Sequence, residues 1–283
     1  MAVSTLQTAP RPRSFVSVTG PDAAGYLNRM VSNEVEAMAV GESCEALLLT
    51  PKARIVAPMR VWRRAEDEFL LLTEPEAGER LARELLRARF AAKCEIALEE
   101  HRSVMVLGPE DLSGRDDAVA NDDYGIQAVE LVDADPPNGA AAVDEAELER
   151  LRILARTPRL GRELDDRVLP AEAGLEHRAI SFTKGCYVGQ EVIIRVMHRG
   201  HGRVVKKLVG LRVVEGNSVP SPGAAIHASE REIGKVTSST WSPALERPIA
   251  LGYVHRDFLE PGTMVSIDGV PAEVTGLPFV SQA

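Results

Sequence analysis

Apolar and polar residues alternate from Phe15 through Val18, which predicts a strand once the chain leaves its first dozen residues. Gly20-Pro21-Asp22 then breaks the pattern. Pro suits the first turn of a helix, where its missing N–H costs nothing, and Leu27, Met30 and Val31 follow at helical spacing. A strand pair comes next: Cys44 to Leu49, a turn at Thr50-Pro51-Lys52-Ala53, then Arg54 to Val56 running on into Met59 to Trp62. Pro58 cannot donate to a ladder, so the second run is expected at an edge or a bulge. Phe69 to Leu72 predicts another strand, and between Glu76 and Phe90 the residues Leu81, Leu85, Leu86 and Phe90 line one face of a helix with charges opposite.

Strands are also predicted at Cys94 to Leu98 and Val104 to Leu107, and one at Gln127 to Val132 inside an Asp-, Gly-, Pro- and Ala-rich stretch over 113–142. Asp144 followed by Glu147 resembles a capping box, opening a helix with Leu148, Leu151 and Leu154 that ends before Pro158 and Gly161. After Arg203 short β-rich runs are separated by glycine turns, and Asp268-Gly269 between two apolar runs is a hairpin signal. Strands at this spacing predict a small all-β barrel. The fold class is therefore α+β, with three parts: a basic, Pro-broken leader over 1–13 expected to be disordered, an α+β region over 14–204 of one or two interleaved modules, and a C-terminal barrel over 205–283.

Composition narrows the function. The 283 residues carry 42 acids against 33 bases, 27 of them Arg, for a net charge of −9. A chain this acidic is not a general nucleic-acid binder. Cys44, Cys94 and Cys186 match no metal or cluster spacing and are too few for a disulfide scaffold. Cys44 and Cys94 lie in apolar strand runs and read as structural. His198 and His201 supply too few ligands for a metal, so no metal site is expected. No run reaches the ~18 apolar residues of a membrane span, and no signal-peptide core is seen, so a soluble, reducing, cytoplasmic setting is the expectation.

Chemistry concentrates in Lys184-Gly185-Cys186-Tyr187-Val188-Gly189-Gln190-Glu191 and the residues after it, where Val192, Ile193, Val196 and Met197 fit one helix face although their β-branching also suits a strand. Gly185 and Gly189 permit turns and close backbone approach to a ligand. If a helix follows, Cys186 lies just before its N-terminus, where the helix dipole and Lys184 would favour a thiolate. Tyr187 offers a flat face for an aromatic ligand, or core packing. Gln190 and Glu191 offer polar groups to a heterocycle or a helix cap; Arg195 and Arg199 offer bidentate contacts to a carboxylate, or a solvated face. Residues 184–212 hold a local balance of +6, leaving −15 for the rest of the chain. Such a patch suits an anionic small ligand, or is the exposed side of a barrel strand.

This eight-residue segment resembles the signature of the YgfZ-type proteins, relatives of the glycine-cleavage T-protein (aminomethyltransferase) and its folate-binding domain. The resemblance extends over about 14–280, through Gly20 to Ala23, Leu48 to Ile55 (with Ala53 where Gly is usual), Leu169 to Leu175, Gly234 to Ser238 and Ile249 to Val254. It implies mixed α/β modules of the aminomethyltransferase type around a central opening, capped by a small β-barrel. It further implies a tetrahydrofolate ligand held near Lys184, Gly185, Tyr187, Gly189, Gln190, Glu191, Arg195 and Arg199, with Cys186 as the reactive thiol. The implied role is support of iron–sulfur cluster assembly or repair, including the cluster enzymes of tRNA modification. Its partners would then be folate and iron–sulfur enzymes or assembly proteins, with neither stable nucleic acid nor membrane. The alternative is a folate-dependent aminomethyl or N-methyl transferase. The transferase branch carries a catalytic Asp shortly after the strand that here is Phe69 to Leu72, whereas this chain reads Thr73-Glu74-Pro75-Glu76.

Overall fold

A computed structural model describes residues 5–108, 112, 114–199, 202–276 and 279, with the side chains of 198 and 199 left out. The predicted alternation at 15–18 becomes β2 (Ser14–Thr19), and the strand pair becomes β3 (Ser43–Leu49) and β4 (Ile55–Ala65). With β5 (Glu68–Thr73) and β6 (Glu95–Glu99) they form one sheet in the order β3-β4-β5-β2-β6. Two helices, α1 (Ala23–Met30) and α2 (Gly78–Ala88), bury Leu27, Leu81 and Leu85 on one face of it, with Val16, Leu48, Val61 and Leu71. Pro58 lies inside β4, paired to Leu47, just beyond the last β4–β5 pair at Met59 and Thr73. Its missing N–H thus falls where β5 no longer needs it, and the register shift between Leu48 and Leu49 is close by.

The first residues depart from expectation. Gln7–Pro10 form β1, inserted between β7 (Ser103–Leu107) and the two-residue β10 (Ala141–Ala142). With β8 (Ala118–Asn121) and β9 (Ala128–Val132) they make a second sheet, β10-β1-β7-β9-β8. The leader over 1–13 is therefore not disordered as a unit: from residue 7 it belongs to the fold. Its Arg residues are balanced by acids far along the chain, which local composition cannot reveal. The stretch 113–142 holds three strands rather than one. Phe15, Trp62, Leu70 and Leu72 of the first sheet meet Val119 and Val132 of the second. A third helix, α3 (Glu145–Ala155), opens as predicted on Asp144, whose Oδ1 accepts from the Glu147 N–H at 2.9 Å. It lays Leu148 and Leu151 against Ala9, Met105 and Leu107.

A short turn of helix, α4 (Pro170–Ala173), precedes the signature segment, which ends in α5 (Gln190–Ile194) and one wider turn over 195–199, so the helical reading of this segment holds. Beyond it, β11 (Lys206–Val213), β12 (Ala225–Ala228), β13 (Arg231–Ser242), β14 (Arg247–His255), β15 (Met264–Ile267) and β16 (Val270–Thr275) close a barrel in the order β11-β14-β13-β12-β15-β16. The Asp268-Gly269 turn joins β15 to β16 with φ of 48° and 85°, the left-handed pair a two-residue hairpin demands. Strand β14 is buried on both sides: Ala250 and Val254 fill the barrel, while Ile249, Leu251 and Tyr253 pack on the body beside Leu47, Leu164 and Tyr187. Among the described residues no helix is long and apolar enough to cross a membrane.

Candidate functional site

The body and its linker enclose a cavity where β3, β4, the end of β5 and the 157–179 segment converge. Alternation places Glu45 and Leu47 on the inner side of β3, and Arg60 stands directly across from Glu45 on β4. Arg11 and Arg13 enter from the link between β1 and β2, Glu74 from the end of β5, and Asp123 and Tyr124 from the loop after β8. Apolar walls come from Met59, Leu160, Leu164 and Leu175. The cavity itself is about 70 Å³. It shares Glu45 and Arg60 with a bay of about 710 Å³ on one side. On the other it shares Arg11, Tyr124, Arg152 and Arg159 with a bay of about 330 Å³. Each bay lies within the size range of small-molecule sites, whereas the cavity whose lining they share is far smaller.

Its charges are organised in buried pairs. Glu74 accepts from Arg11 Nη2 at 2.5 Å and Nη1 at 3.2 Å, with Arg13 at 3.4 Å and Arg159 at 3.4 Å. Burial alone would raise the Glu74 pKa, but Arg11 and Arg13 hold it below the usual carboxylate range. Glu130, fully buried on β9, takes a fork from Arg13 Nε and Nη2 at 2.9 Å each and accepts from Ser103 Oγ at 2.7 Å. At the other end Arg178 forks onto Glu45 at 2.9 and 2.8 Å, and Arg60 donates to Asp122 at 2.9 Å. Glu45 and Asp123 are adjacent. Burial, and then Asp123, push Glu45 up to about 7, whereas Arg60, Arg13 and Arg178 overcome burial and keep Asp123 ionised well below the ordinary range. Glu45 therefore titrates near neutral pH rather than in the usual carboxylate range. The acids Glu45, Asp122 and Asp123 lie close enough to share an ion, but each is already paired with Arg60 and Arg178.

The signature segment lies elsewhere. Neither it nor Arg195 lines the cavity or its bays. Lys184 turns inward, donating to the carbonyls of Val31 at 2.9 Å and Asn33 at 2.5 Å, and burial brings its pKa down to about 8. Its ammonium is engaged with this loop and lies 5.4 Å from the Tyr187 ring. Tyr187 is core, beside Leu49, Ile55 and Ile193, and its burial raises its pKa to about 12. Gly189, at φ 87°, fits against the β3–β4 turn: a Cβ there would stand 2.7 Å from the Thr50 carbonyl oxygen. Gln190 begins α5, its N–H donating to the Tyr187 carbonyl. Glu191 and Arg195 form an exposed i,i+4 pair at 3.0 Å. The Arg199 and His198 side chains, and His201, lie outside the described residues. Gly185 has open space around it, and Cys186 is exposed, whereas Cys94 is buried and burial raises the Cys44 thiol to about 11.

The local +6 is partly balanced in three dimensions, among the described residues. Lys207 meets Glu176 at 3.5 Å, Arg212 pairs with Glu273, and Lys206 lies 4.5 Å over the Tyr253 ring. The concentrated arginines sit instead in the cavity, and the sequence carried a signal for them: charged residues inside otherwise apolar runs. Arg60 interrupts Met59-Arg60-Val61-Trp62, and Glu130 interrupts Val129-Glu130-Leu131. Arg11 and Arg13 had no such marker.

The geometry fits what comparison with known proteins finds. Residues 14–113 match the GCVT N-terminal domain, and 206–281 match the glycine cleavage T-protein C-terminal barrel domain. An aminomethyltransferase of Streptomyces coelicolor is 29% identical over 93% of this chain and 83% of its own length. One of Saccharopolyspora erythraea is 27% identical over the same shares. The crystal structure of the glycine cleavage system aminomethyltransferase T of Bartonella henselae superposes with a TM-score of 0.85 at 20% identity, covering 98% of this chain and 87% of that one, so the fold is shared. With both domains present in order and the fold shared end to end, the chain belongs to the glycine-cleavage T-protein superfamily.

Proposed function

We propose that this chain is a tetrahydrofolate-binding protein of the YgfZ type, in which the arginine-lined cavity holds the folate and the Cys186 thiol serves a partner in iron–sulfur cluster assembly or repair. One observation carries this reading: Cys186 is exposed and lines neither the cavity nor its bays. The cavity suits the ligand independently. Its apolar walls can sandwich a flat ring, and Arg11 Nε is a buried donor with no acceptor among the described residues. The thiol stands on a segment fixed by Lys184, Tyr187 and Gly189, which presents it outward.

Titration calorimetry with tetrahydrofolate on the wild type and Cys186→Ala tests the division of labour. Equal folate affinity is expected, together with loss of cluster-enzyme activity in cells that carry only the variant. A tenfold loss of folate affinity in Cys186→Ala, or full rescue by it, would sink the proposal.

A folate-dependent one-carbon transferase is the second reading. It is favoured by similarity over most of the chain to aminomethyltransferases and by Glu45, a cavity carboxyl that burial brings into the neutral range where it can exchange a proton. Against it, the carboxylate that follows β5 is Glu74, whose oxygens are engaged by three arginines. Methylene-tetrahydrofolate formed from an aminomethyl donor, and lost in Glu45→Gln, would favour the transferase.

A further inference from the structure

Strand β6 is an outer strand of its sheet and, among the described residues, pairs with β2 alone. Lys93, just before it, sends its N–H to Asp22 Oδ2 at 2.7 Å and takes the Asp22 N–H on its carbonyl, so its main chain faces inward. Alternation then turns the N–H and C=O of Cys94, Ile96 and Leu98 outward. Of these, among the described residues, the Cys94 carbonyl alone has a partner, Arg89 Nη1 at 3.1 Å. The strand holds neither the proline nor the bulge that commonly guards such an edge.

The helix side of this edge is apolar and faces water. Leu98 is 50% exposed, Leu86 46% and Phe90 92%. Phe90 also has φ 44°, in the left-handed region that a bulky side chain enters only at a cost. Helix α2 packs on β6, β2 and β4, so it is set back from the edge and leaves room for another helix beside it. Its outer face presents Glu79, Arg83 and Arg87, all exposed and without an ion pair among the described residues.

We propose that a second copy of this chain covers this edge, joined antiparallel through β6 about a two-fold axis at Ile96. Register selects that axis. An axis at Ala97 sets Glu95 against Glu99 of the other copy, which is repulsive. An axis at Ile96 sets Lys93 against Glu99, and bonds Ile96 to its own copy and Leu98 to Cys94 in both directions. The helices suit the same axis. The chain returns from α2 into β6, so the two run in opposite directions, and a Cβ on Gly78 would stand 3.5 Å from Leu98 Cδ2. At about 3.4 Å per strand residue and about 1.5 Å per helix residue, the axis then passes close to Arg83. Antiparallel copies of α2 centred there set Glu79 against Arg87 on both sides and bring Phe90 over Leu98 of the other copy. Arg83 meets its own copy, a like-charge contact with Glu79 one turn away. One axis thus pairs opposite charges in the strands and in the helices, and this self-complementarity favours a second copy over an unrelated peptide.

Sedimentation velocity of the full chain over about 1 to 100 μM tests this, with thermal melts to check that each variant folds. The wild type is expected to sediment as a dimer. Glu79→Arg and Arg87→Glu are each expected to weaken dimerisation about tenfold or more, and the double reversal to restore it, which a merely structural role would not do. Phe90→Asn, which suits a left-handed backbone and removes the ring, is expected to give a folded monomer. None of these positions lines the cavity or its bays, so the outcome is independent of the folate reading. A wild-type monomer over the whole range overturns the proposal, as does a dimer unmoved by the single reversals. Binding of that monomer to phosphatidylserine vesicles, lost in Arg83→Glu, would assign the patch to a membrane surface instead.

Discussion

Gly185 and Gly189 stand four residues apart in one motif and answer to different constraints. At Gly189 the backbone has φ 87° and a Cβ would press 2.7 Å from the Thr50 carbonyl oxygen and 3.2 Å from the Ala53 Cα. At Gly185 a Cβ meets nothing within 4 Å. Gly189→Ala should therefore cost about 2 kcal/mol or more, from left-handed backbone strain and a clash with main chain that cannot swing away. Gly185→Ala should stay within about 0.5 kcal/mol. Urea denaturation of both variants checks this, and equal effects would remove the packing explanation for Gly189. The motif itself was legible in the sequence, but the work of its members was not. Glycine spacing signals close approach without saying to what, and here the neighbour is the turn at 50–53. Lys184 reads as a free cation in one dimension because its acceptors, the carbonyls of Val31 and Asn33, are main-chain atoms about 150 residues away.

At the scale of elements, the link between the two sheets holds a charge clamp. His101 follows β6, with Nδ1 2.6 Å from Asp133 and Nε2 2.7 Å from Glu99. Carboxylates only accept, so both ring nitrogens must donate and the ring is a cation. Arg64 also faces Glu99 at 3.0 Å, the Arg102 N–H donates to Asp133 at 2.8 Å, and the Phe15 ring meets the imidazole edge-on. Burial disfavours the charged ring, but the hydrogen bonds it donates to Asp133 and Glu99 raise its pKa overall. A raised histidine contributes fully below the unfolded value of about 6.5 and loses its contribution as pH climbs through the folded value. The carboxylates are held low, so their share is lost instead as pH falls through their folded values. The stability difference between wild type and His101→Gln should be greatest near pH 6, about 1 kcal/mol for a partly exposed clamp, and should shrink towards pH 9. Urea midpoints across that range read it directly, and a constant difference would refute it. Strand β6 and strand β7 were both predictable from their apolar runs. The clamp between them was not, since Asp133 comes from the end of β9, and only register brings it there.

For the molecule as a whole, the barrel is joined to the body by a buried polar knot inside an apolar seam. Glu163, 2% exposed, accepts from Arg152 Nη1 at 2.9 Å and from Ser238 Oγ at 2.6 Å, while Ser238 Oγ also accepts from Arg152 Nη2 at 2.8 Å. Tyr253 adds a hydrogen bond from its hydroxyl to the Glu163 carbonyl at 2.9 Å. Arg152 belongs to α3 and also lines the cavity, whereas Ser238 and Tyr253 belong to β13 and β14, so the knot connects the barrel to the site wall. The barrel was foreseeable from its glycine-punctuated strands, and its attachment was half foreseeable: the unbroken apolar run of β14 signals burial on both sides. Glu163 gives no such sign, sitting between Arg162 and Leu164 in a linker that reads as loop. Removing it leaves part of the Arg152 charge buried without its partner, which should cost about 3 kcal/mol. It should also weaken the coupling of barrel and body. The wild type is then expected to melt in one calorimetric transition and Glu163→Ala in two, the earlier accompanied by loss of folate binding because Arg152 is released from its place on the wall. Tyr253→Phe, which removes a hydroxyl but keeps the ring in the seam, should lower the midpoint and keep one transition. A single unshifted transition in Glu163→Ala would mean that the apolar seam of Leu208, Ile249 and Leu251 against the body sets the coupling alone, and two transitions in the wild type would mean that barrel and body are not coupled at all.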